Sequence, residues 1–105
     1  MASAGNEEAA VHDNPERARF ELPLGEYGVA FINYRDRATP AGTTRVRLLT
    51  HAEVPPALRG SGVGARLCRG TLELLRERGE RMVPQCPFIV AFVRRHPQYR
   101  DLLPD

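Results

Sequence analysis

Thr50-His51-Ala52-Glu53-Val54-Pro55-Pro56-Ala57-Leu58-Arg59-Gly60-Ser61-Gly62-Val63-Gly64-Ala65-Arg66-Leu67 decides the fold. Its beginning is the end of a strand rich in branched and alternating residues, Arg47 to Val54. Pro55 and Pro56 cannot continue a central strand, so pairing should stop there. Arg59 to Gly64 follows, with glycine at 60, 62 and 64. Beyond it Val63, Leu67, Thr71 and Leu74 recur at the spacing of one helix face. Glycines just before a helix leave its first N–H groups bare and pointing outward. With the positive end of the helix dipole, those groups suit an anion. Glycine also lets backbone approach that anion with no side chain in the way. The stretch therefore reads as strand, turn, phosphate cradle, helix.

Two familiar cradles do not fit. A Walker A loop needs a lysine, and the chain contains none. The spacing Gly60-x-Gly62-x-x-Ala65 approaches a dinucleotide fingerprint, but that motif places its first glycine directly after the strand. Here Pro55 to Arg59 intervenes, and too little chain remains for a dinucleotide fold. The pattern that fits is Arg59-x-x-Gly62-x-Gly64 after a strand ending at Val54. It resembles the acetyl-CoA pyrophosphate loop of the GCN5-related N-acetyltransferase superfamily. Pro84-Gln85-Cys86-Pro87-Phe88 and Arg94-Arg95-His96-Pro97-Gln98-Tyr99 are similar to a small, minimal, single-domain branch of it. The resemblance runs from about Phe20 to the C-terminus.

Bulk properties agree with one compact domain. The chain has 105 residues, 42% of them hydrophobic, enough for a modest core. No apolar run reaches the ~20 residues needed to span a bilayer, and the N-terminus does not read as a secretory signal. Cys68 and Cys86 make neither a disulfide framework nor a metal-binding spacing, so no metal is expected and a reducing, cytoplasmic setting is. Residues 1–16 hold four of the 13 acids and no arginine, which leaves 15 arginines against 9 acids in the rest. A basic body suits nucleic acid or a small polyanion. The arginines are scattered, not interleaved with aromatics on one surface, which argues against nucleic acid.

Taken in order, residues 1–16 are small, polar, acidic and without periodicity, and read as a disordered tail ahead of a domain over 17–105. Arg17 to Leu22 alternates as a half-buried strand. Tyr27 to Tyr34 is a second strand, apolar enough on both faces to be covered on each side. Thr43 to Val54 is the third, completing an antiparallel meander. A helix over about 62–78 follows, with Cys68 on its apolar half and Gly79 as C-cap. Arg81 to Gln85 is a short strand, parallel to Thr43–Val54 through a right-handed crossover. Pro87 opens a second helix to Arg95, with Phe88, Ala91 and Phe92 inward. The fold class is α/β: a mixed sheet, antiparallel meander plus parallel strand-helix-strand unit, with helices on the faces.

The resemblance implies that the two parallel strands splay apart, with pantetheine between them beside Val54 and pyrophosphate on Arg59, Gly60, Ser61, Gly62, Val63 and Gly64. It implies acetyl-CoA as co-substrate and an amine as acceptor. Amide formation from a thioester needs a neutral amine, a donor for the oxyanion and a proton for the departing thiolate. His51 and Glu53 are two apart, hence on one face of the bordering strand. Cys86 ends the other bordering strand, and the resemblance makes His51 and Cys86 the active-site pair. Each residue also has a plainer reading: a strand histidine, a surface ion pair for Glu53, a packed thiol for Cys86. The resemblance implies a tyrosine as acid in other members, and Tyr99 is the only tyrosine in the C-terminal part, but the acid stays unassigned. Arg94, Arg95 and His96 read as a solvated basic face, or as a contact for CoA phosphates or an acidic acceptor. The expectation is an acetyl-CoA-dependent N-acetyltransferase, a monomer or weak dimer. The competing reading is a non-catalytic CoA-binding module, and a third is covalent transfer through Cys86.

Overall fold

A computed structural model describes residues 10–104 of the chain. Five strands form one sheet in sequence order: β1 (His12–Asn14), β2 (Arg19–Pro23), β3 (Val29–Asp36), β4 (Val46–Glu53) and β5 (Arg81–Pro84). The first four pair antiparallel and β5 pairs parallel to β4. Two α-helices follow the meander, α1 (Val63–Arg78) and α2 (Pro87–Arg95), and a 3-10 turn over Pro97–Leu102 closes the chain.

The alternation along β2 and β3 carries Phe20, Leu22, Ala30, Ile32 and Tyr34 to one face, where each is buried. α1 brings Val63, Leu67, Cys68, Leu72 and Leu75 against them, and α2 adds Ile89, Phe92 and Val93 to the same core. The opposite face of β3 carries Val29, Phe31 and Asn33, all half-buried. The strand expected to be covered on both sides is thus covered by the helices on one. α2 also presents a different stripe from the one expected. With Ile89, Phe92 and Val93 inward, Phe88 lies about one residue's rotation off that stripe and is 46% exposed. Its ring lies over Gly64, where an added Cβ would come within 2.7 Å of the ring's Cζ.

The N-terminal segment corrects the sequence reading. Residues 1–9 of the expected tail lie outside the described residues. Residues 12–14 form β1 on the free edge of β2, and Val11 is buried against Gly70 of α1. The disordered reading failed because acidic, non-periodic composition hides a specific partner. Asp13, on the core side, accepts a hydrogen bond from the Tyr34 hydroxyl (2.7 Å) and one from Arg78 (2.9 Å). It also lies 3.5 Å from the Arg47 guanidinium. Arg47 is 1% exposed and its remaining charge is shared with Asp36 (3.3 Å) and Glu80 (3.2 Å), with the Tyr34 ring 4.2 Å beneath it. A buried arginine needs carboxylates on several sides, and β1 supplies one.

Burial pushes the Asp13 carboxyl up, but the hydrogen bonds from Tyr34 and Arg78 and the charges of Arg47 and Arg78 outweigh it. The result lies below the ordinary value of 3.8. Glu21 behaves alike: burial raises it, and Arg19, Asn14 and His12 bring it below 4.5. A carboxyl lowered in the folded state contributes stability above its unfolded value and loses it as pH falls through the folded one. The urea midpoint is therefore expected to be flat near neutrality and to fall below about pH 4. Asp13→Asn should lower the plateau and flatten that acid limb. An unchanged acid limb in Asp13→Asn would remove Asp13 from the cause.

Candidate active site

The site is made by a break in the sheet. Along β3–β4, Tyr34 pairs with Leu49 and Asn33 pairs with His51, so Thr50 is an extra residue, a β-bulge. Directly paired residues share a face, so Leu49 and Ala52 point to the helix side with Tyr34 and Ile32. His51 and Glu53 point to the other side with Asn33 and Phe31. Without the bulge His51 would share the face of fully buried Leu49. His51 lies with its ring 6.4 Å from that of Phe31, and Arg19 stacks on the same phenyl at 4.2 Å.

The bulge also ends the parallel ladder. β5 pairs with β4 only from Val46 to Leu49, and the last bond is from Gln85 N–H to the Leu49 carbonyl at 2.8 Å. Beyond it β4 runs on to Glu53 with no partner on the β5 side among the described residues. Peptide groups on that edge are left for a ligand. A cleft of about 620 Å³ opens there, lined by His51, Ala52, Glu53 and Val54 of the strand end, by Arg59, Gly60, Gly62, Gly64 and Ala65 of the loop and first turn of α1, and by α2.

The loop is shaped for close approach. Gly60 and Gly62 have φ of +81° and +93°, which L side chains rarely adopt. Gly62 is the N-cap of α1 and contributes no side-chain cap. The first-turn N–H groups therefore keep their donors toward the cleft. Arg59 folds back, its Nε donating to the Val54 carbonyl at 3.4 Å. Of the cradle residues expected from sequence, Val54, Arg59, Gly60, Gly62 and Gly64 line the cleft. Val63 turns into the core at 6% exposure, and the Ser61 hydroxyl donates to the Leu58 carbonyl.

His51 and Glu53 both line the cleft, and beyond sharing a face they pair with each other, Nε2 and Oε1 2.7 Å apart. An ionised carboxylate only accepts, so in the neutral imidazole Nε2 carries the proton and Nδ1 the lone pair. Cys86 does not join them. It is 8% exposed, belongs to the core cluster and is absent from the cleft lining. The expectation that its thiol faces the crevice is corrected: Cys86 lies past the end of β5, at the N-cap of α2, and there it packs into the core cluster. Cys68, also in that core, has its thiol pushed up to about 12 by burial, with the charge of Cys86 adding to it. Tyr99 is not a cleft residue either. It is buried with its hydroxyl donating to Glu73 at 2.8 Å, and burial followed by that bond raises it above 10.0.

Sequence reasoning gave α2 too small a part. Phe88, Phe92, Arg95 and His96 form one wall of the cleft. His96 Nδ1 is 2.8 Å from the Phe92 carbonyl, and its ring stacks on Phe92 at 4.0 Å. The Phe92-x-x-x-His96 spacing was the available signal, since residues four apart share a helix face.

Comparison with known proteins gives the family and the fold. Residues 19–102 match the family model of GCN5-related N-acetyltransferases. The chain belongs to that family, and is an acyltransferase. The solution structure of a GCN5-like protein from Staphylococcus aureus is similar to it in fold, with a TM-score of 0.63 at 21% identity, covering 92% of this chain and 89% of the other. No curated protein matches the chain. The matched family segment begins at Arg19, so β1 precedes it.

Proposed function

We propose that the chain transfers an acetyl group from acetyl-CoA to an amine by direct attack within a ternary complex. One observation carries this reading: a single cleft joins an uncapped helix start on a glycine loop to an unpaired strand edge that ends at a histidine–glutamate pair. The pyrophosphate sits on the N–H groups of the first turn of α1 and on Gly60–Gly64. Pantetheine lies along β4 beyond the bulge and pairs with its free peptide groups. The thioester then reaches the level of His51.

There the amine adds to the thioester carbonyl carbon, and the C–S bond breaks as the tetrahedral intermediate collapses. His51 accepts the amine proton at Nδ1, while Glu53 holds the ring through Nε2–H and balances the imidazolium charge. Backbone N–H groups of the free β4 edge supply donors for the oxyanion. Cys86 and Tyr99 are given no role, because one packs in the core and the other is held by Glu73. The departing thiolate takes its proton from the imidazolium or from water.

Gly62→Asp tests the cradle. Asp at this N-cap accepts from the same first-turn N–H groups that the pyrophosphate needs and adds a negative charge beside it. Against glycine the gain as a cap is only a few tenths of a kcal/mol, and a side chain at φ +93° costs about 1–3 kcal/mol, a loss that a domain of ordinary stability tolerates. Folding should survive while acetyl-CoA affinity falls tenfold or more, on the order of 1.4 kcal/mol. Calorimetry showing unchanged affinity in the folded variant would place the pyrophosphate elsewhere. Release of free CoA across a panel of amines tests the transfer itself.

A further inference from the structure

We propose that the α2 wall of the cleft recognises the 3′-phosphate on the adenosine of the CoA thioester, with Arg95 as its principal contact. This rests on the reading that the cleft takes a CoA thioester. The glycine loop accounts for one anion, the pyrophosphate, on the α1 side. Across the cleft the charge is again positive: Arg95 stands in the last turn of α2, and Arg59 stands on the loop. Glu53 is the one acid in the lining, and it is held by His51 at 2.7 Å. No lining carboxylate is therefore left for the arginines.

Arg95 has no hydrogen bond or ion pair to any described residue, although carboxylates take up Arg19, Arg45, Arg47, Arg76 and Arg78 elsewhere. An unpaired guanidinium on a cleft wall presents a planar fork of five N–H donors, the geometry that matches a phosphate. Arg59 uses Nε on the Val54 carbonyl and keeps its other donors. The same wall carries two accessible rings, half-buried His96 stacked on buried Phe92, and exposed Phe88. His96 is pinned through Nδ1 to the Phe92 carbonyl, which fixes its plane and leaves Nε2 for a ligand. Aromatic rings on one wall with a free arginine suit a nucleotide end better than an inorganic anion. The donor would then be selected as a full CoA thioester over thioesters that carry phosphopantetheine alone.

The test measures the affinity of acetyl-CoA and of acetyl-3′-dephospho-CoA for the wild-type chain, for Arg95→Gln and for Arg94→Gln. Arg94 is exposed on the same helix turn and does not line the cleft. The wild-type chain should bind acetyl-CoA about tenfold more tightly than the dephospho compound. Arg95→Gln should erase that difference by weakening acetyl-CoA alone, and Arg94→Gln should preserve it. Equal weakening of both ligands by Arg95→Gln, or of neither, overturns the assignment while leaving the CoA reading in place. A wild-type chain that binds neither ligand overturns the CoA reading, and this inference with it.

Discussion

Removal of residues 1–16 is expected to lower the stability of the domain by about 4–6 kcal/mol, enough to bring a chain of this size to the edge of unfolding. The deletion uncovers the place of Val11, worth about 1.5–3 kcal/mol as buried apolar surface. It strips the outer edge of β2 of a partner strand. It also takes one carboxylate from Arg47, which is 1% exposed, and the acceptor from the Tyr34 hydroxyl. Breaking a buried ion pair by removing one partner costs about 3–5 kcal/mol, and Asp36 and Glu80 remain to hold the total toward the lower end. Chemical denaturation of the full and shortened chains measures it. A loss under about 1 kcal/mol would show that β1 is an ornament on the sheet. If the shortened chain does not fold, a double-mutant cycle reads the same contact. A Cβ at Gly70 would lie 2.5 Å from Val11 Cγ2, so Gly70→Ala should destabilise the wild-type chain. In a Val11→Ala background much of that clash disappears, and the higher helix propensity of alanine, up to ~1 kcal/mol, should show through. Additive effects of the two changes would mean that Val11 does not pack there.

That strand was hard to read for a physical reason. Composition reports how much apolar surface a segment can bury, and Val11-His12-Asp13 buries little. Its anchor is one carboxylate placed against a buried arginine 34 positions later in the chain, and charge pairing at long range leaves no local period. The faint local clue was Gly70, an interior helix glycine where alanine is the better residue. The elements with a period were legible. The bounds expected for the second, third and fourth strands and both helices fall within a few residues of β3, β4, β5, α1 and α2. The parallel pairing of β5 with β4 followed from the crossover rule.

The site divides in the same way. Glycines at 60, 62 and 64 announce a close backbone approach by their type alone, and they do line the cleft or lead into it. His51 and Glu53 share a face by simple parity, which a bulge upstream of both does not disturb. Which face they share depends on Thr50, and no residue type marks a bulge at that position. Cys86 shows the opposite failure. Its place near the strand end suggested the crevice, yet as the N-cap of α2 it packs into the core cluster with Met82. The α2 wall was underread because a helix of nine residues has room for two stripes, one facing the core and one facing the cleft.

His51→Ala is expected to lower kcat by about 100-fold, near 2.7 kcal/mol of barrier, with little change in the affinity for acetyl-CoA. The His51 and Glu53 side chains are about half exposed, so loss of folding should not confuse the result. Glu53→Gln should cost less, about tenfold, since it weakens the hold on the ring and the balance of charge without removing the base. The pair acts as a unit, so the double variant should be no slower than His51→Ala alone. The pH profile separates a base from a merely positioned side chain. Without a base, the reaction depends on the fraction of acceptor that is already neutral, so the rate of His51→Ala should climb with pH toward the pKa of the amine. The wild-type rate should gain less over the same range, because His51 takes the proton within the complex. Steady-state release of CoA against a reactive amine from the panel gives all four rates. A His51→Ala rate within twofold of wild type, rising with pH in the same way, would show that the amine enters already deprotonated. The chemistry would then fall to the backbone donors of the β4 edge and to the positioning of the thioester beside them.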